Sequence, residues 1–244
     1  MINLNNKIFY QAIIPDNCKK KFIPNTVLSL EDKEKCFDFA YQMAFGENHN
    51  PYSFRSKNPK HIRNQIEIFR DAFQGKLAET GFYNLYSKRK EHNIPPPDFS
   101  VWKRGKWEDT DFEATVNHKK YKISIKSTKD FGQLLLLEKN RYDKNGYYLE
   151  GSNGKKIKHD LIFLVRVKGA DNFIDYKNIE ITPKKNLFDL LEVEITGYIT
   201  YKDFLKIIKA DRFIPKGVKI GKHFLKVDNY YAFASELKLK EYKK

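Results

Sequence analysis

With 244 residues, 41% of them hydrophobic and 15% aromatic, the chain can build one large domain or a core with a smaller elaboration. Lysine and arginine outnumber aspartate and glutamate 46 to 31, a net charge of +15. That surplus points to nucleic acid or an anionic membrane as partner, although an A+T-rich genome alone also enriches lysine. No apolar run nears the ~20 residues of a membrane span, the first residues lack a hydrophobic signal core, and Cys18 and Cys36 are too few for a disulfide framework or a four-ligand zinc site, so a cytoplasmic protein is expected.

In chain order, residues 1–28 read as irregular or short strand, broken by Pro15 and Pro24. Ser29-Leu-Glu-Asp32 is a capping box with the shorter acid. It opens a helix that Gly46 ends, with Phe37, Ala40, Tyr41, Ala44 and Phe45 as its packing stripe. An Asn- and Pro-rich loop follows, with Arg55, Lys57 and Lys60 in or beside it. Pro59 then opens the longest helical pattern, to about Lys90, on Ile62, Ile66, Phe69, Phe73 and Leu77. Gly75 interrupts it at a cost of ~1 kcal/mol against alanine, so a close backbone approach or a break between two helices is expected there. Glu79 shares a helical face with Gly75, Phe82 and Tyr83, and a carboxylate among packing neighbours needs a cation, a metal or a donor.

Pro95-Pro-Pro-Asp98 ends the helical region, and Phe99-Ser-Val-Trp102 reads as a short strand. Arg104-Gly105-Lys106 turns the chain into a hairpin from Asp109 to Ser127. If Asn117 and Lys120 close its turn, Phe112, Ala114 and Val116 lie on one face with Tyr121, Ile123 and Ile125. Asp111, Glu113 and Thr115 then face Lys126, Ser124 and Lys122, with Asp111 directly across from Lys126. Ser127 to Asp130 should be a loop, and Leu134 to Leu137 a strand buried on both faces. Glu138 to Lys158 is a long polar excursion. From Lys119 to Lys158 eleven basic residues stand against four acids, which suits a nucleic-acid contact arm. Strands are expected over Leu161–Val167 and Val193–Ile199, and Thr200-Tyr-Lys-Asp203 caps a further helix. In the tail, Lys216, Lys219, Lys222 and Lys226 alternate with Phe224, Tyr230 and Tyr231. The six histidines show no metal spacing.

The helix carrying Lys76-Leu-Ala-Glu79, the Pro97-Asp98-Phe99 stretch, the Trp107-Glu-Asp-Thr-Asp111-Phe strand entry and Ile123-Ser-Ile-Lys126-Ser together resemble the PD-(D/E)XK nuclease superfamily, and within it type II restriction endonucleases. The resemblance covers about a quarter of the chain. It implies an α/β, restriction-endonuclease-like fold with a mixed central β-sheet flanked by helices. One domain would span 1–244, with a catalytic core at about 60–168 and a DNA-contacting elaboration at about 190–244.

It further implies Mg²⁺-dependent, site-specific cleavage of double-stranded DNA, with a homodimer matching a palindromic site. Asp111 and the backbone carbonyl of Ile125 would hold the metal, and Lys126 would orient or deprotonate the attacking water or hold the phosphate. The acid expected two residues before the lysine is Ser124 instead. Glu79, then Glu113, then Glu138 are the candidate replacements, and Asp98 competes with Asp111 as the metal-binding aspartate. Lys129, Arg141, Lys155, Lys156 and Lys222 are the candidate DNA contacts. Two rivals are a repair or modification-dependent nuclease of the same fold and a non-catalytic nucleic-acid-binding protein with a decayed site. A weaker third is a lysine-rich membrane-surface or ribosome-associated protein.

Overall fold

The computed structural model of the chain describes residues 14–46, 64–101, 110–149, 154–178, 180–221 and 223–239. Two long helices come first, α1 (Leu30–Phe45) and α2 (Gln65–Tyr86). Strands β1 (His92–Asn93), β2 (Phe112–Val116), β3 (Lys119–Lys129), β4 (Leu134–Glu138) and β5 (Leu161–Lys168) follow. Then come the small pair β6 (Ile174–Asp175) and β7 (Glu180–Ile181), the single turn α3 (Lys185–Phe188), β8 (Glu192–Thr200) and α4 (Tyr201–Lys209). The last elements are β9 (Phe213–Ile214), β10 (Lys219–Ile220), β11 (His223–Phe224) and β12 (Asn229–Phe233).

The central sheet has the order β1-β2-β3-β5-β8. It is mixed, because β3 and β5 run parallel while every other neighbouring pair is antiparallel. Helices flank it. One face of β3, β5 and β8 presents Ile123, Ile125, Phe163, Val165, Val193 and Ile195 to α1 and α2, in a core crowded with Phe37, Phe69, Phe73 and Phe173. The other face presents Ile162, Leu164 and Ile199 to a second layer, made of Leu135 and Leu137 of β4, Phe204 of α4 and Tyr230 of β12. That layer holds the three-stranded sheet β4-β12-β9.

The helix starts follow their caps. Ser29 and Asp32, Asn64 and Glu67, and Thr200 and Asp203 each exchange reciprocal side-chain-to-backbone hydrogen bonds. Each such N-cap contributes ~1 kcal/mol.

Several expectations are corrected. The described helix begins at Gln65 and stops at Tyr86, short of Lys90, where the chain turns so that His92–Asn93 can pair with β2. The expected start at Pro59 and Ile62 lies outside the described residues. Gly75 neither breaks α2 nor meets a neighbour, since a Cβ there would have open space. The close approach is at Gly81, where a Cβ would lie 2.7 Å from Val193 Cγ1, so the bare glycine lets α2 settle on β8. Phe99–Val101 is not a strand, and Trp102 lies outside the described residues. Ser127–Lys129 is not a loop, because the parallel ladder holds β3 extended as far as Lys129 opposite Val167. The excursion after Glu138 is not merely polar, for Tyr142, Tyr148 and Ile157 fold back and are buried beside Phe204.

Candidate active site on the central hairpin

The hairpin turns one residue earlier than the sequence suggests. Asn117 and His118 both take positive φ, +48° and +62°, forming a two-residue loop between Val116 and Lys119. This is the turn whose twist matches the flanking strands, and asparagine tolerates the left-handed region it needs. The pairing is Phe112 with Ile123 and Ala114 with Tyr121, two residues away from the expected register. Asp111 therefore falls beside Ser124 instead of Lys126. A shift of two preserves the faces, so Asp111, Ser124 and Lys126 still share the side of the sheet away from α2.

β2 begins at Phe112, and the side chains of the two residues before it continue its ladder. The Thr110 hydroxyl donates to the Ile123 carbonyl at 2.7 Å. Asp111 Oδ2 accepts the Ile125 N–H at 2.6 Å and the Ser124 hydroxyl at 3.1 Å. Among the described residues, Oδ1 accepts no hydrogen bond. A residue in an antiparallel strand turns its N–H and C=O to the same neighbour. The Ile125 carbonyl thus opens on the same edge as the Asp111 carboxylate. Lys126 is half-buried two residues beyond the buried Ser124 and next to Leu164 of β5. Ser124 acts on Asp111, fixing the carboxylate's rotamer.

Each of the three replacement acids lies beside a cation. Glu79 pairs with Lys76 at 2.5 Å. Lys76, only 6% exposed, also donates to the Asp98 carbonyl at 2.7 Å and lies over the Phe39 and Phe99 rings. Beside it the Cys36 sulfur lies 3.3 Å from the Thr80 hydroxyl, and burial pushes its thiol up to about 12. Glu113 reaches Lys122 across the hairpin at 3.4 Å on an exposed strip. Glu138 pairs with Arg141. The Asp98 carboxylate accepts the Ser100 N–H at 2.8 Å, a local turn.

Among the described residues no three histidine, cysteine or acidic side chains gather as a metal group. A site of one carboxylate and one carbonyl, Asp111 and Ile125, still suits Mg²⁺, which keeps several waters and takes substrate oxygens.

Of the expected DNA contacts, Lys129 pairs with Asp171 and Lys156 with Asp143, the latter at 3.0 Å; Lys155 is exposed, and Lys222 lies outside the described residues.

Two features escaped sequence reasoning. Arg166, fully buried in β5, donates to Glu194 Oε2 at 2.6 Å and to the carbonyls of Lys20 and Lys21 at 2.8 and 2.7 Å. Burial pushes the Glu194 carboxyl above its ordinary value against the pull of Arg166. The signal was one arginine inside an otherwise apolar strand. The second feature is an open cleft of about 470 Å³ at the C-terminal ends of β3 and β5, lined by Gln74, Lys129, Phe131, Asp171, Asp189 and Glu192 among others. Neither Asp111 nor Lys126 lines it.

No protein family, curated protein or solved structure matches the chain. Among the described residues no helix is long and apolar enough to cross a membrane.

Proposed function

We propose that the chain is a Mg²⁺-dependent endonuclease acting on double-stranded DNA, with a restriction-endonuclease-like core. The observation that carries this reading is the strip where β3 runs past the first residue of β2. It has the Asp111 carboxylate locked onto the Ile125 N–H, the Ile125 carbonyl on the same edge, and Lys126 on the same face as Asp111. Asp111 and Ile125 would hold the ion, which when bound neutralises phosphate charge and acidifies water. Lys126 brings a cation to the scissile phosphate and holds or orients the attacking water. Ser124 keeps Asp111 in place. The +15 charge favours a polyanion and makes affinity fall with salt. A homodimer on a palindromic site and a cytoplasmic setting belong to the same proposal.

A second reading draws on the pairing of Glu79, Glu113 and Glu138 with cations and on there being no three-residue metal group among the described residues. It is a nucleic-acid-binding protein whose nuclease site has decayed. Incubating the protein with plasmid and Mg²⁺ separates the two. Discrete fragments support the endonuclease, and retarded but intact plasmid across varied, methylated and unmethylated substrates supports the binding protein. Fragments from methylated plasmid alone indicate a modification-dependent enzyme.

A further inference from the structure

We infer that the hairpin of β10 and β11 is a DNA-reading ribbon that enters the major groove. The inference rests on duplex DNA being the partner. From Phe213 to Val227 the sequence has Lys216, Lys219, Lys222, His223 and Lys226 and no acid. Lys219 pairs with Phe224 and Ile220 with His223, around a turn whose Gly221 takes a positive φ of +58°.

The root is anchored. Val218 is buried with Leu134 and Ile214, Leu225 packs against them, and the two exchange backbone contact through a 2.9 Å hydrogen bond. The Lys216 N–H donates to Asp228 at 2.8 Å, which pins the entry. The far end is open. Phe224 is 51% exposed, and His223 and Lys226 are exposed as well.

The ribbon gathers basic residues on one short projecting hairpin, whereas Lys129, Lys139, Lys168 and Lys238 are each held by an acid: Asp171, Asp211, Glu192 and Asp203. Among the described residues no acid pairs with Lys216, Lys219 or Lys226. Lysines without partner acids in the free protein are available to phosphates at no cost in broken ion pairs. A two-stranded ribbon is one of the shapes the ~12 Å major groove admits. Phe224, with the Lys219 ammonium 5.9 Å from its ring centre, offers an apolar surface to thymine methyls.

The test is fluorescence anisotropy of the full chain with a labelled duplex in EDTA, which separates binding from cutting. The triple variant K216A/K219A/K226A should bind at least tenfold more weakly. Its log K against log salt should flatten by ~0.9 for each phosphate contact removed. Phe224→Ala should relax sequence preference while leaving the salt slope unchanged. Unchanged affinity and slope in the triple variant overturn the ribbon, as does an equal loss on a single strand of the same length. Wild-type protein that binds duplex but never cuts it with Mg²⁺ sinks the endonuclease reading and leaves the ribbon standing. Cutting by wild type with unimpaired binding by the triple variant sinks the ribbon alone.

Discussion

The β2–β3 and β10–β11 hairpins are built alike and placed oppositely. Each has a tight connection entered through left-handed backbone, Asn117–His118 in one and Gly221 in the other. The first is woven into the middle of a five-stranded sheet, with one face in the phenylalanine core and its charges answered by neighbours: Glu113 by Lys122, and Asp111 by the Ile125 N–H. The second pairs with no other strand, and its lysines have no partner acid among the described residues. Embedding fixes geometry to a fraction of an ångström and suits chemistry, whereas projection leaves charge available and suits capture.

The largest effect that would break the comparison is on cutting. Asp111→Asn and Lys126→Ala should each lower the plasmid cleavage rate by roughly 10²–10⁴ while leaving duplex binding in EDTA near wild type. Normal cutting by Asp111→Asn together with none by Asp98→Asn would move the metal site to the turn after the prolines. Next comes the embedded layer itself. Arg166→Ala strands Glu194 in the interior and should cost ~3–5 kcal/mol in urea unfolding. A loss under ~1 kcal/mol would show that water reaches that face.

Glu79→Gln should cost ~1–3 kcal/mol, because Lys76 keeps its burial and loses its counter-charge. Full stability with abolished cutting would instead make Glu79 the missing carboxylate. Smaller is the effect at Asp203. Burial alone would raise its carboxyl, but the Lys238 ammonium and the Thr200 cap bring it down to about 2. A folded-state value below the unfolded ~3.9 means its contribution is present above pH ~4 and disappears as pH falls through about 2. Asp203→Asn should therefore cost ~1 kcal/mol at pH 7 and progressively less in thermal melts below pH 4. Smallest of all, the ribbon variants should shift stability by less than ~0.5 kcal/mol, since only their root is packed.

Much of the architecture was legible where one short-range rule governs. Ser29 with Asp32 and Thr200 with Asp203 announced their helices, and Leu161–Val167 announced a buried strand. The mixed sheet flanked by helices also agrees with expectation. What was illegible depended on distant partners. The register failed because only backbone torsions at Asn117 and His118 distinguish a two-residue turn from a neighbouring one. Ser127–Lys129 looked like a loop because nothing local signals the β5 strand that holds it extended. Gly75 attracted attention for its place in the pattern, whereas Gly81 matters because Val193, more than a hundred positions later, packs against it. In the candidate site, the hairpin and the shared face of Asp111, Ser124 and Lys126 were legible from the strand alternation, but Asp111 beside Ser124 was not, and the hold of Lys76 on Glu79 depends on how α1 and residues 98–99 wrap α2.

The parallel pairing of β3 with β5 also sets the order in which the molecule can assemble. The two strands are adjacent in space but separated by residues 130–160, and β4, inside that connection, pairs with β12 nearly a hundred positions downstream. The β2–β3 hairpin can close in microseconds on local contacts alone, but β5 cannot dock until a long loop has closed and its entropy has been lost. Refolding should therefore run in milliseconds to seconds. The edge of β3 that later receives β5 stays uncovered throughout that interval, which makes early aggregation at high protein concentration the characteristic failure of this fold.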